Sequence, residues 1–425
     1  MTPPPEADPA RPEACSFEQD ARAVMLRVRS SLVDVVGVLP APSRRAVDLQ
    51  QALQVDRMTA WRLHRIVTGP DPLGAGMHML APSSMSRVLK AASVRGVPEG
   101  HLDRVREAYR AFETLVGRYA GDRATFDSMI SGFADDDANQ VDLSLRRGAF
   151  RGQSHVWGVQ SRVRMATHVF HPSAHDPLLL DGAIIQGYYD LRRLRPGASL
   201  TAVGMYVRHD HGEQTGTRVE PLSPTTGERG TPSSIGFLHE FSDDPPPPMR
   251  VRERADGSVS FEIMGNEVGL PATSTCLFGH VSRGAMPWHR TELDTHLHPM
   301  VYTRTPAEVT IFNVLLHAAT FGRRDVSGFM LGEMNRPTIP LAEPEARRPY
   351  QLPMRESVVY AGEGIEALRH AEMPRYADLL AWTLDRLGWD PKGFHAYHCR
   401  VEYPPVPSSI VMEIPMPPRP ADGAH

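Results

Sequence analysis

Cysteine is scarce in this sequence, and the few that occur lie far apart. The 425 residues include three cysteines, Cys15, Cys276 and Cys399, with no CxxC pair and no Cys/His spacing typical of zinc sites. Small secreted domains depend on closely spaced cysteine pairs, whereas cytoplasmic proteins keep isolated thiols reduced. The sequence therefore predicts a cytoplasmic location and argues against a disulfide scaffold and a structural zinc site.

Long apolar runs and catalytic signatures are also missing. No run of about 18 apolar residues occurs, so no segment is expected to span a membrane. The chain contains no nucleophile elbow, Walker loop, dinucleotide fingerprint or HExxH motif. No catalytic residue and no cofactor are predicted on these grounds, and an enzyme becomes the second hypothesis rather than the first.

The charge of the chain is small but unevenly distributed. The formal net charge is -4. Between Ala41 and Ile130, however, 13 Lys and Arg stand against 9 Asp and Glu, a local charge of +4. A basic segment on an acidic body is typical of a chain that contacts nucleic acid at one end.

The sequence pattern divides the chain into a tail and two regions. Residues 1–15 are proline-rich and lack an apolar core, which predicts a disordered tail. Residues 16–153 repeat apolar side chains at helical spacing, beginning with a capping box formed by Ser16 and Gln19. This pattern predicts a helical domain, and its helix from His101 to Ala120 is a candidate dimer surface, although its apolar face also suits a core.

Residues 154–425 contain segments that alternate apolar and polar residues or are β-branched, such as "VQSRVRMATHVF" and "SVSFEIMG", with Gly- and Pro-rich breaks between them. This pattern is typical of strands. A hairpin is expected to turn at residues 255–257. Two helices are predicted to interrupt the strands, at Pro306–Gly322 and Met373–Gly388. The predicted fold class is therefore α+β, with an N-terminal all-helical domain followed by a larger mixed, β-rich domain for ligand sensing or assembly.

The stretch "VDLQQALQVDRMTAWRLHRIV", Val47–Val67, predicts two short helices joined by a tight turn. The apolar positions that would pack the pair together are Leu49, Leu53, Val55, Ala60, Leu63 and Val67. Asp56 is a suitable N-cap for the second helix. The residues then left to face DNA are Arg57, Met58, Thr59, Trp61, Arg62 and Arg65, with Thr59 placed to reach a phosphate.

This stretch resembles the winged helix-turn-helix regulators of bacteria, of the kind in the IclR and MarR families, over about 20 residues. The resemblance implies a transcriptional regulator that binds double-stranded DNA as a homodimer. The sequence departs from the family pattern at Gln54, where glycine is usual and where a left-handed turn would cost about 1 kcal/mol. In place of a basic wing it has the nearly uncharged segment "TGPDPLGAGMHMLAPSS", which is expected to be flexible.

Histidine pairs in the second region are candidate metal ligands. Alternate residues of a strand share a face, so His209 with His211, or His296 with His298, would present two imidazoles to one metal ion. Solvated surface histidines are the alternative interpretation. Arginines between Arg146 and Arg195 likewise suggest an anion cradle or an ordinary charged surface.

Three functions remain open from the sequence. The first is a DNA-binding transcriptional regulator whose C-terminal domain binds a small-molecule effector or mediates oligomerisation. The second is a metal-dependent enzyme in the β-rich domain, which the histidine pairs favour. The third is a non-catalytic, protein-binding scaffold, which the missing wing and Gln54 favour.

Overall fold

A computed structural model of the chain describes residues 17–39, 45–69, 71–131, 137–198, 200–206, 218–223, 236–253, 258–292, 294–332 and 339–419. The chain divides into two compact units, residues 1–144 and 145–425. The first unit is helical and the second combines sheets with helices, so the predicted α+β class is confirmed. No helix in these segments is long and apolar enough to cross a membrane. The expected tail and Ser16 lie outside the described residues.

The first unit consists of helices and their connections. The helices that begin in it are α1 (Phe17–Val38), α2 (Ala46–Leu53), α3 (Arg57–Thr68), α4 (Pro72–Gly76), α5 (Pro82–Val94), α6 (Glu99–Tyr119), α7 (Arg123–Ser131) and α8 (Asp137–Trp157), of which α8 runs on into the second unit.

Apolar side chains at intervals of three or four residues explain how these helices pack. The buried stripe of α1 includes Met25, Val28 and Leu32, all fully excluded from solvent. Aromatic rings join the helix ends: Phe126 of α7 meets Phe112 of α6 edge-on, with the ring centroids 5.2 Å apart. Burying such a stripe, rather than helix propensity, stabilises short helices of this kind.

The second unit contains the strands β1 (Val159–Pro172), β2 (Leu179–Arg193), β3 (Leu200–Tyr206), β4 (Arg218–Pro221), β5 (Met249–Glu253), β6 (Ser258–Ile263), β7 (Ser274–Pro287), β8 (His296–Leu297), β9 (Met300–Thr303), β10 (Ala307–His317), β11 (Ser327–Leu331), β12 (Gln351–Leu352), β13 (Val359–Glu363), β14 (Phe394–Glu402) and β15 (Ser408–Pro415). Its further helices are α9 (Ala318–Phe321), α10 (Pro344–Arg347) and α11 (Tyr376–Leu387).

A seven-stranded sheet forms the centre of this unit, in the order β13-β14-β10-β1-β2-β7-β4. β1 and β10 run parallel and the other neighbours antiparallel. One face packs against α11 through residues such as Leu380. The opposite face packs against a sheet of β12, β11, β15, β8 and β9, so that β10 is buried on both sides.

The predicted helix Pro306–Gly322 is wrong. Residues 307–317 form β10, and only Ala318–Phe321 are helical. A strand that is buried on both faces carries a continuous apolar run, which periodicity alone does not separate from a buried helix. The β-branched residues Val309, Thr310 and Ile311 fit the pleated strand that forms.

Two further predictions for this region agree with the structure. The helix predicted at Met373–Gly388 is confirmed as α11, which ends at Gly388 in a left-handed conformation with φ of 69°. The predicted hairpin is confirmed as the antiparallel pair of β5 and β6, while its expected turn at residues 255–257 lies outside the described residues. The predicted change of pattern at residue 154 falls near the end of α8, whereas the compact units divide at residues 144 and 145.

Candidate nucleic-acid interface

Helices α2 and α3 are joined by a three-residue turn, a length typical of helix-turn-helix units. Gln54 ends α2 in the left-handed conformation, with φ of 53° and ψ of 42°. The chain then extends through Val55 and Asp56 before α3 begins at Arg57. The left-handed turn that the sequence requires of Gln54 is therefore present.

Apolar side chains hold the two helices together. Leu49 and Leu53 of α2 and Leu63 of α3 are at most 2 % exposed. Ile66 is fully buried, whereas Val67, an inward position in the sequence prediction, is half-buried. The buried face of α3 is therefore rotated slightly from the predicted one.

Thr59 lies in the core-facing part of α3 and not on the exposed face. Its side chain and backbone are 6 % exposed overall, and its hydroxyl donates to the Asp56 carboxylate at 2.7 Å. The backbone amide of Thr59 donates to the same carboxylate at 2.8 Å. These hydrogen bonds hold the pKa of Asp56 below its ordinary value. Thr59 is thus part of the helix cap, which makes it a poor phosphate contact.

The exposed face of α3, which we define as Arg57, Met58, Trp61 and Arg62, points to solvent. Met58 is 59 % exposed and Trp61 is 38 % exposed, so two large apolar side chains adjoin two arginines on one face. Neither Arg57 nor Arg62 forms an ion pair with a carboxylate in the described part of the chain. In helix-turn-helix proteins, side chains near the start of the second helix contact base edges and phosphates in the major groove of DNA. Long cationic and apolar side chains suit these contacts.

Arg65 is only half-buried and lies beside the core of the unit rather than on the exposed face. Near it is His78, whose ring meets the ring of Trp61 edge-on at 5.1 Å. Burial, reinforced by the charges of Arg65 and Arg62, lowers the pKa of His78 to about 4. His78 is therefore neutral at physiological pH and adds no charge beneath α3.

The segment expected to be flexible after α3 folds as the short helix α4. Asp71 caps it by accepting hydrogen bonds from the amides of Leu73 and Gly74, at 3.2 and 2.9 Å. Leu73 and Ala75 are buried. Residues 45–69 and 71–131 contain no strand. A β-wing in the position usual for the resembled families is therefore absent from these ranges, and α4 stands there instead.

The helix considered as a dimer surface is α6. Its apolar stripe, including Leu102, Val105 and Phe112, is buried within the core of its own unit. The described faces of α6 that remain exposed are polar, which leaves this helix without an apolar surface for a second copy of the chain.

The structure describes only one of the two histidine pairs proposed as metal ligands. His209 and His211 lie outside the described residues. His298 is buried, and its Nε2 is 3.3 Å from the Glu413 carboxylate, which also binds Arg347. No group of three or more His, Cys, Asp or Glu in the described part of the chain is arranged to hold a metal ion. His298 thus belongs to a structural network with Glu413 and Arg347, while His296 Nδ1 lies 2.9 Å from the Thr295 hydroxyl.

The arginines suggested as an anion cradle are largely occupied. Arg164 is 3 % exposed and donates to the carbonyl oxygens of Tyr302 and Met165 at 3.0 and 2.6 Å. Arg146 forms an ion pair with Glu356 at 2.6 Å. These side chains stabilise the fold of the second unit and do not converge on one site.

Sequence reasoning missed a row of polar side chains on the central sheet and the segment packed against it, which we call the polar ladder: Thr167, Asn313 and Tyr376, which are buried, and His370 and His398, which are half-buried. Thr167 is the register partner of Asn313, and Asn313 is the partner of His398, so three adjacent strands place them side by side. The Asn313 amide donates to the Tyr376 oxygen at 2.7 Å and accepts from His398 Nδ1 at 2.8 Å.

The rest of the polar ladder extends from this amide toward the surface. Asn313 Nδ2 lies 3.2 Å from His370 Nε2, and the rings of His370 and His398 are 4.8 Å apart. Burial, with the charge of His398 next, lowers the pKa of His370 to about 4. Both imidazoles are thereby kept neutral near pH 7, since the pKa of His398 is also lowered by burial.

Comparison with known proteins adds no assignment. No protein-family model matches the chain, and no curated protein is similar to it at a significant level. A functional proposal for either unit therefore depends on its geometry.

Proposed function

We propose that the first unit binds double-stranded DNA through the exposed face of α3, and that the protein is a bacterial-type transcriptional regulator. The observation that carries the proposal is the exposure of Arg57, Met58, Trp61 and Arg62 on a short helix held by a buried core and an N-cap. A methionine, a tryptophan and two arginines without ion pairs in the described segments adjoin one another on this face, a combination that suits an interaction surface.

The proposal differs from the sequence-based hypothesis in two residues. Thr59 is omitted because its hydroxyl is bound to Asp56. Arg65 is a marginal contact because it is half-buried. Without a wing, phosphate contacts would come from the exposed arginines of α3, because the Asp56 carboxylate already caps the N-terminus of this helix.

The same proposal includes a homodimer, a cytoplasmic location and an effector bound by the second unit. One short helix with two to three arginines binds too weakly to select an operator, so two copies are needed. The buried free thiols Cys276 and Cys399 support a reducing compartment. Light scattering of the full chain measures the dimer, and a strict monomer with and without DNA would count against the regulator.

A salt titration of binding to mixed-sequence duplex DNA tests the interface. For the wild type we expect affinity that falls steeply with salt, and for Arg57→Ala/Arg62→Ala a slope shallower by about 2 per protomer. Arg27→Ala/Arg110→Ala is the matched control, because it removes two exposed arginines from α1 and α6. A slope that both double variants lower equally would assign the binding to overall charge, and the proposal would fail.

A further inference from the structure

A pocket of about 350 Å³ opens in the second unit between the loop after α9 and strands β13 and β14. Its lining consists of Arg323, Arg324, Asp325, Val326, Val358, Tyr360 and Tyr397. The volume lies at the small end of the range for ligand pockets, which suits a molecule with a single ring.

Two tyrosines form one wall of the pocket. Tyr360 on β13 and Tyr397 on β14 are direct register partners, and their ring centroids are 5.5 Å apart. Val326 and Val358 add apolar surface. Because Tyr397 is only 1 % exposed, Tyr360 and the two valines provide the apolar surface that an entering group would contact.

Two guanidinium groups give the pocket its charge. Arg323 lies over the Tyr360 ring, with its Cζ 4.3 Å from the ring centroid. The Nε of Arg324 is buried and has no hydrogen-bond partner within the described segments. Neither arginine forms an ion pair there, and Asp325 is the one carboxylate among the lining residues, so the net charge of the lining is positive.

Tyr397 fixes the position of the arginine loop. Its hydroxyl accepts from the Arg324 amide at 2.7 Å and donates to the Arg324 carbonyl at 3.0 Å. Burial raises the pKa of Tyr397, which keeps the phenol neutral and able to donate. The Tyr360 hydroxyl is held in turn by His395 Nδ1 at 3.1 Å. A loop held at both backbone groups presents Arg324 with little loss of entropy on binding.

We infer that this pocket binds a small organic anion, with a carboxylate or phosphate group on the arginines and a flat apolar body against Tyr360 and the valines. Guanidinium groups recognise both kinds of anion, and neither arginine has an ion-pair partner among the described residues. A bound anion also offsets the unpaired charge of Arg323 and Arg324. The inference concerns the second unit alone and does not depend on whether α3 contacts DNA.

Calorimetric titration of the full chain with four probes tests the site. Benzoate and phenyl phosphate carry a ring and an anion, inorganic phosphate carries the anion alone, and benzylamine carries the ring with the opposite charge. We expect at least one ring-bearing anion to bind with a dissociation constant on the order of 1 mM or lower, and tighter than inorganic phosphate and benzylamine. Whichever of benzoate and phenyl phosphate binds more tightly identifies the anion.

Substitutions in and outside the pocket test whether the probes bind there. Arg324→Gln and Arg323→Gln are each expected to weaken the tightest probe by about tenfold. Arg386→Gln is the matched control, because Arg386 also lies over an aromatic ring, that of Trp382 at 5.5 Å, but outside the pocket. Arg323 is exposed, so its variant carries the test if melting shows that Arg324→Gln fails to fold. Absence of binding by the wild type, equal binding of benzylamine, or an equal loss in Arg386→Gln would overturn the inference.

Discussion

The Asp56 carboxylate accepts two hydrogen bonds from Thr59, one from its backbone amide at 2.8 Å and one from its hydroxyl at 2.7 Å. Both groups of Thr59 are thereby committed to the start of α3. A residue that the sequence places among DNA contacts is instead what positions the helix carrying them.

Thr59→Val separates these two roles. The substitution keeps the shape of the side chain but removes the hydroxyl, so we expect the free energy of unfolding to fall by about 1 kcal/mol. DNA affinity should stay within about twofold of the wild type, because the exposed face of α3 is untouched. Denaturant melts and the salt titration measure both quantities. If Thr59→Val lost as much DNA affinity as the Arg57→Ala/Arg62→Ala variant without losing stability, Thr59 would have to contact DNA directly.

Gln54 offers a second test of the turn between α2 and α3. At φ of 53° a side chain costs energy that glycine does not, so Gln54→Gly should raise the free energy of unfolding by about 0.5–1 kcal/mol. Gln50→Gly is the matched control, since Gln50 lies within α2, where glycine should destabilise by about 1 kcal/mol. If both substitutions lowered the free energy of unfolding by the same amount, Gln54 would not be strained in solution.

Local sequence patterns predict those features that depend on residues within about four positions of one another. The core of α2 and α3, the cap at Asp56 and the left-handed Gln54 are all of this kind. The orientation of Thr59 is equally local but is missed, because the cap at Asp56 is predicted only for the backbone and not for the Thr59 hydroxyl that it also binds. β10 was mistaken for a helix because burial on both faces removes the alternation that marks a strand.

The sites of the second unit depend on long-range pairing, which no local pattern contains. Thr167 and Tyr376 are 209 residues apart and meet only because α11 packs on the sheet. The pocket likewise needs the loop at Arg324 to meet Tyr397, 73 residues later. His298, by contrast, belongs to a recognisable HxH spacing but contacts Glu413 in a structural network.

That network predicts an acid-sensitive contribution from Glu413. Burial alone would raise the pKa of Glu413, but hydrogen bonds and charge from Arg347 and His298 lower it to about 2. A carboxylate with a lowered pKa stabilises the fold above its ordinary value of 4.5, and that stability is lost as the pH falls from 4.5 toward 2. Glu413→Gln should therefore reduce the free energy of unfolding by about 3 kcal/mol at pH 7.

The pH dependence supplies the check on this prediction. The difference between wild type and Glu413→Gln should shrink as the pH is lowered below 4.5, because the wild-type carboxylate becomes protonated as well. Glu345→Gln is the control: its partner Arg348 is 3.7 Å away and both side chains are exposed, so its effect should be below about 0.5 kcal/mol. A difference for Glu413→Gln that does not vary with pH would contradict the assigned ion pair.

The polar ladder predicts that one amide supports several neighbours at once. Asn313 hydrogen-bonds Tyr376 and His398 and lies 3.2 Å from His370 Nε2, beside the apolar core that α11 forms with the sheet. Asn313→Leu preserves the approximate volume but removes the partner of His398 Nδ1 and one of the two partners of the Tyr376 hydroxyl. We expect it to lower the free energy of unfolding by about 2–4 kcal/mol, more than one hydrogen bond is worth.

Thr310→Val in the same strand is the matched control. Thr310 is also fully buried, but its hydroxyl makes one long contact, 3.4 Å to Thr303, so its loss should be about 1 kcal/mol or less. Denaturant titration of both variants measures the two losses under one set of conditions. Similar losses for Asn313→Leu and Thr310→Val would show that Asn313 does not support the ladder. A larger loss for Asn313→Leu would show that the fold needs this polar row, because its members satisfy one another through a single side chain.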